Sequence, residues 1–116
     1  MVFGASPNPS RYAHLAIRQL EKNGIEVVAL GRRAGQIGNI KILTDYPAKI
    51  DHLHTISLYL GAKHQPEYYD YLISLKPKRV LFNPGTENPD FVARLNNAGI
   101  STEMACTLAL LSIGAY

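Results

Sequence analysis

The chain has 116 residues, 47% hydrophobic and 18% charged, which suits one domain with its own core and excludes a disordered chain or two full domains. Its net charge of +3 is too small to argue for nucleic acid, and its one cysteine, Cys106, excludes an internal disulfide framework or a cysteine-rich zinc site. No apolar run reaches the roughly 18 residues of a membrane span, so we expect a cytoplasmic protein with no membrane contact and no secretory leader.

Val2-Phe3 predicts a first strand, left short by Met1 with its first residues missing or frayed, that runs into the turn Gly4-Ala5-Ser6. Asn8-Pro9-Ser10 carries a helix-start signal, because Asn and Ser cap and Pro lacks the amide that has no helical partner there. Ala13, Ala16, Ile17 and Leu20 then recur at helical spacing, and Asn23-Gly24 stops the helix. Ile25 to Leu30 reads as a strand buried on both faces, ending at Gly31-Arg32-Arg33. Residues 34–54 are irregular, with a short strand at Ile40, Ile42 and Leu43 and a turn or one short helix from Tyr46-Pro47.

Thr55 to Leu60 alternates, with Ile56, Leu58 and Leu60 on one side, and ends at Gly61. Gln65-Pro66 opens a helix with Tyr69, Leu72, Ile73 and Leu75 inward, which Pro77 stops. Arg79 to Phe82 is a strand that ends at Asn83-Pro84-Gly85. Asn88-Pro89 repeats the cap-then-proline signal before the stripe of Phe91, Val92, Leu95 and Ala98, and Gly99 closes that helix. Ile100 to Thr102 is the last strand, and Cys106 to Ile113 the last helix. Strands alternating with helices require a parallel sheet. We therefore expect one domain over residues 1–116: a doubly wound, mainly parallel, five-stranded Rossmann-like α/β sheet with helices on both faces. Ligands of such sheets bind outside the carboxyl ends of the strands, where strand order reverses.

The loops there carry the candidate chemistry. Gly4, Ala5, Ser6, Ser10 and Arg11 make a glycine turn, two hydroxyls and a guanidinium before a helix N-terminus, a set that suits phosphate. Gly4→Val is expected to block ligand and leave the fold largely intact. Residues 1–41 hold six Lys/Arg against Glu21 and Glu26, an anion-attracting end. Arg32 and Arg33 stand where an NAD site usually has an acid, which favours a phosphorylated adenosine ribose, as in coenzyme A or NADP. His52, His54 and His64 have no carboxylate or cysteine that completes a metal set, so no metal is expected. Cys106 lies near a helix start, where a thiol can be activated, although a lone cysteine more often packs as a small hydrophobe. Tyr68, Tyr69 and Tyr71 share one predicted helix and are read as packing or dimer-surface residues; with the apolar helix Leu108-Ala109-Leu110-Leu111 they allow a homodimer. No spacing supports a nucleophile with its base, so no catalytic residue is expected.

The run Gly4-Ala5-Ser6-Pro7-Asn8-Pro9-Ser10-Arg11-Tyr12 resembles the opening of the small CoA-binding proteins, single Rossmann-type domains similar to the N-terminal domain of the succinyl-CoA synthetase α subunit. The resemblance continues through Gly38, Tyr46-Pro47, Asp51, Asn83-Pro84-Gly85-Thr86-Glu87-Asn88, Gly99-Ile100 and Cys106. It implies that the first loop holds phosphate, that Gly31, Arg32 and Arg33 face the adenosine, and that Gly61 and Asn83, Pro84, Gly85 and Glu87 flank the nucleotide. Two places depart from the family: Leu30-Gly31-Arg32 replaces an Asn-Pro after strand two, and Glu103-Met104-Ala105 replaces an Arg before the cysteine. The resulting expectation is non-enzymatic binding of CoA or an acyl-CoA. The alternatives are the NADP-binding domain of a small oxidoreductase and an interaction protein with a vestigial nucleotide site.

Overall fold

The computed structural model describes residues 1–116. Strand β1 (Val2–Phe3) leads to helix α1 (Tyr12–Lys22), then to β2 (Ala29–Leu30) and a hairpin of β3 (Gly35–Ile37) and β4 (Ile40–Leu43). Next come β5 (Thr55–Leu58), two 3-10 turns (Ala62–His64 and Pro66–Tyr68) and α2 (Tyr69–Ser74). The chain continues through β6 (Arg79–Phe82), α3 (Pro89–Asn97), β7 (Ser101–Met104) and α4 (Thr107–Ser112).

The sheet order is β3-β4-β2-β1-β5-β6-β7, and every neighbouring pair is parallel except β3–β4. Counted without β3, the six parallel strands run in the 3-2-1-4-5-6 order of a doubly wound sheet. Strand order reverses between β1 and β5, where Phe3 pairs with Leu30 on one side and Leu58 on the other. Successive strand residues face opposite layers. Val2, Ala29 and Ile42 pack with Ala13, Ile17 and Leu20 of α1 and the partly buried Leu111 of α4. Phe3, Leu30, Leu58, Val80 and Phe82 pack with Leu72 of α2 and Phe91 and Leu95 of α3. Helices cover both faces, as the alternation requires.

Several expectations change. The sheet has seven strands rather than five: the short strand expected at Ile40, Ile42 and Leu43 is β4, and Gly35–Ile37 pairs with it as β3, with Gln36 opposite Lys41 on a half-exposed edge that gives little apolar pattern to read. Strand two is Ala29–Leu30 rather than 25–30. Asn8-Pro9 does not cap α1. Its N-cap is Arg11, and Asn8 Oδ1 instead accepts from the Ser10 amide (3.0 Å) and hydroxyl (2.8 Å).

The second cap signal is real. Asn88 Oδ1 accepts from the Phe91 amide at 3.2 Å, and Asn88 Nδ2 donates to Gln65 Oε1 (2.9 Å) and the Tyr69 hydroxyl (2.8 Å). Gln65, fully buried, donates through Nε2 to the carbonyls of Leu60 and Thr86, both at 2.8 Å. One buried network therefore fixes the loops after β5 and β6. Asn88→Ala removes a cap and orphans Gln65 Oε1, and is expected to cost about 2–4 kcal/mol in a denaturant titration. Asn88→Ser keeps the cap and should recover about 1 kcal/mol of that loss. Equal losses for the two variants would deny the cap its part.

Candidate functional site

Loops from four strand ends converge on a cleft of about 350 Å³ at the point where strand order reverses. The β1 end supplies Gly4, Ala5, Ser6 and Pro7, and the first turn of α1 supplies Arg11, Tyr12 and Ala13. Arg32 and Arg33 follow β2, Tyr59 and Leu60 follow β5, and Pro84 follows β6.

The first loop takes its shape from one carbonyl. Leu30 O accepts from both Gly4 (3.0 Å) and Ala5 (2.9 Å), which turns the chain away from β1 with Gly4 at φ +93°. Those two amides are therefore engaged inside the protein and do not face a ligand. The amides of Ser6, Tyr12 and Ala13 have no protein acceptor and line the cleft, beside the Ser6 hydroxyl and the Arg11 guanidinium. The Tyr12 and Ala13 amides are the positive end of α1. The Ser10 hydroxyl donates to Asn8 Oδ1 and lies outside the cleft.

Both glycines around this turn are steric requirements. A Cβ on Gly4 would sit 3.0 Å from Leu60 N and Tyr59 C at a positive φ, so Gly4→Val strains the backbone, and the expectation of an intact fold is withdrawn. A Cβ on Gly31 would run into Ala5 O. Gly31 is thus present for the close approach of the first loop to β2, and is not part of the cleft lining. Gly31→Ala pushes against backbone and is expected to destabilise by about 1–3 kcal/mol. It should also weaken ligand binding by displacing Ser6. Wild-type melting and binding in Gly31→Ala would refute this role.

The cleft is cationic. Arg11, Arg32 and Arg33 are exposed, none pairs with a carboxylate, and no acid lines the cleft. Arg32 lies close enough to Tyr46 to matter electrostatically: burial and then Tyr68 push the Tyr46 phenol up, and the Arg32 guanidinium opposes them. Tyr46 belongs to an aromatic cluster with Phe3 (5.5 Å between centroids), Tyr68 (5.8 Å) and Tyr71 (5.7 Å). Tyr69 stacks on Phe91 at 4.5 Å, and the Tyr71 hydroxyl donates to Pro47 O at 2.7 Å. The packing reading of the tyrosines holds.

Among the flanking residues, Pro84 lines the cleft, and Gly61, Asn83, Gly85 and Glu87 do not. Asn83 is buried; its Nδ2 donates to Leu58 O (3.0 Å) and its Oδ1 accepts from the Thr107 amide (2.8 Å), tying β5 and β6 to the start of α4. Glu87 Oε1 accepts from the Gly85 amide at 2.8 Å, which shapes its own turn. Pro7, Tyr12, Ala13, Tyr59 and Leu60 are lining residues that sequence reasoning missed. The signal for Tyr59 and Leu60 was hidden because β5 stops at Leu58, two residues before the alternation does. Burial pushes the Tyr59 phenol up to about 12; its hydroxyl is shielded from water and makes no hydrogen bond in the protein. Cys106 is half-buried at the N-cap of α4. His52 and His54 precede β5 and His64 follows it, so the sheet separates them.

The model of a family described as CoA binding domain matches residues 1–112. The chain belongs to this CoA-binding family. A crystal structure described as that of an uncharacterized protein is 40% identical, with a TM-score of 0.95, covering 99% of this chain and 94% of that one. Cell-free ID.343 from Thermus thermophilus is 20% identical, with a TM-score of 0.85 over 99% of this chain and 87% of its own. A hypothetical protein from Pyrococcus horikoshii OT3 is 24% identical, with a TM-score of 0.81 over 93% and 77%. The last two share the fold. No protein of curated function matches significantly. No helix of this family member is long and apolar enough to cross a membrane.

Proposed function

We propose that the cleft binds coenzyme A or an acyl-CoA as a ligand and performs no reaction on it, presenting it to a partner or reporting its level. The observation that carries this reading is a lining with three unpaired arginines and no acid, joined to the open amides of α1. The α1 end suits the diphosphate. Arg32 and Arg33 lie at the end of β2, the adenosine side of such sheets, and suit the ribose 3′-phosphate.

A thermal-shift comparison of CoA, NADP, NAD and ATP tests it. A ligand that binds only the folded protein stabilises it by about 2.7 kcal/mol at a hundredfold excess over Kd. CoA should raise the melting temperature most and NAD least. A shift with NADP and none with CoA would replace CoA by NADP as the ligand.

A further inference from the structure

We infer that the cleft reads only the 3′-phosphoadenosine diphosphate end of its ligand and leaves the pantetheine arm and any acyl group outside. This rests on the CoA reading and narrows it to a ligand class: any molecule ending in that nucleotide, whatever it carries.

The first argument is the distribution of charge. All three cationic side chains, and all the open amides at the start of α1, lie on the β1 and β2 side of the cleft. The side towards β5 and β6 is lined by Tyr59, Leu60 and Pro84. The pantetheine arm carries two amides and a hydroxyl that need partners when they leave water.

The second argument is that the side chains of Gln65, Asn83 and Glu87 on those loops are engaged inside the fold. Gln65 donates to Leu60 O and Thr86 O, Asn83 binds Leu58 O and the Thr107 amide, and Glu87 accepts from the Gly85 amide. Redirecting any of them to a ligand breaks a bond that holds the loops together. Thr86 adds a bond of its own, from its hydroxyl to Asn83 O at 2.7 Å. The third argument is size. About 350 Å³ is near the lower end of small-molecule sites and suits a nucleotide without the arm. Burying the arm's amides unpaired would cost more than leaving them in water, so the arm stays hydrated.

Calorimetric titration of the whole chain with CoA, acetyl-CoA, a medium-chain acyl-CoA, 3′-phospho-ADP and 4′-phosphopantetheine tests this at about 0.15 M salt, which moderates the extra charge on the free diphosphate. CoA, both acyl-CoAs and 3′-phospho-ADP should bind within about threefold of one another, and phosphopantetheine should not bind detectably. Arg33→Ala should weaken CoA and 3′-phospho-ADP by the same factor, showing that they share one site. If 3′-phospho-ADP binds tenfold or more weakly than CoA, or the acyl group changes affinity tenfold, the inference falls and the CoA reading stands. If CoA does not bind at all, both fall.

Discussion

Replacing both Arg32 and Arg33 by alanine is expected to weaken CoA about a hundredfold and to leave dephospho-CoA nearly unchanged. A charge-assisted hydrogen bond contributes about 1.5–3 kcal/mol, or roughly ten- to a hundredfold in affinity. Both side chains are exposed, so the lower figure applies to each. Neither has a carboxylate partner to leave behind, and exposed substitutions of this kind stay within about 0.5 kcal/mol in stability. The variants should therefore fold, and a lost affinity would report on the ligand. Raising the salt should narrow the gap between CoA and dephospho-CoA in the wild type. Titration of both ligands against Arg32→Ala, Arg33→Ala and the double variant decides the matter. Equal affinity of the wild type for CoA and dephospho-CoA would mean that neither arginine reads the 3′-phosphate, and the two would then be a solvated basic turn.

The reason these arginines could be found in the sequence is that strand ends are marked by residues with strict backbone demands. Gly31 ends the apolar run at Leu30, and the two residues after it must lie at the carboxyl edge of a parallel sheet. The helices were legible for a similar reason. The stripe Ala13, Ala16, Ile17 and Leu20 is fully reproduced as the buried face of α1. What escaped was everything set by long-range hydrogen bonding. The family resemblance places Asn83 beside the nucleotide, yet Leu58 and Thr107 claim its side chain. Gly4 and Ala5 looked like phosphate donors because they come directly after β1, yet Leu30 O takes both amides. Asn8-Pro9 and Asn88-Pro89 carry the same local signal, and only the second caps a helix. Gln65 and Tyr69 stand beside Asn88, whereas Asn8 turns back on Ser10. No local pattern separates those two cases.

Stability of the 116-residue chain is expected to rise by about 2 kcal/mol between pH 6 and pH 8, and the Met1 amine is the cause. That amine is buried at the amino end of the sheet and donates to Thr55 O at 2.8 Å. Burial alone lowers its pKa from 8.0 to about 6. Between those two values the unfolded chain holds a proton that the folded chain does not. Stability therefore increases with pH across the window, by about 1.4 kcal/mol for each pH unit of the shift. Above pH 8 both states are neutral and the penalty is gone; below pH 6 both are protonated and the folded state carries the whole cost of a buried charge. Glu26, Asp51, His52, His54 and Arg79 line the adjoining cleft with Met1. A chain acetylated at Met1 isolates the amine, because every other group is common to both chains. That cleft, about 640 Å³, leaves room for the acetyl group, and the acetylated nitrogen keeps one N–H for Thr55. Denaturant titrations of both chains at pH 5.5, 7 and 8.5 give the comparison. The acetylated chain should lack most of the rise that the free amine shows. Parallel curves for the two chains would assign the pH dependence to the surrounding side chains and remove the amine from the account.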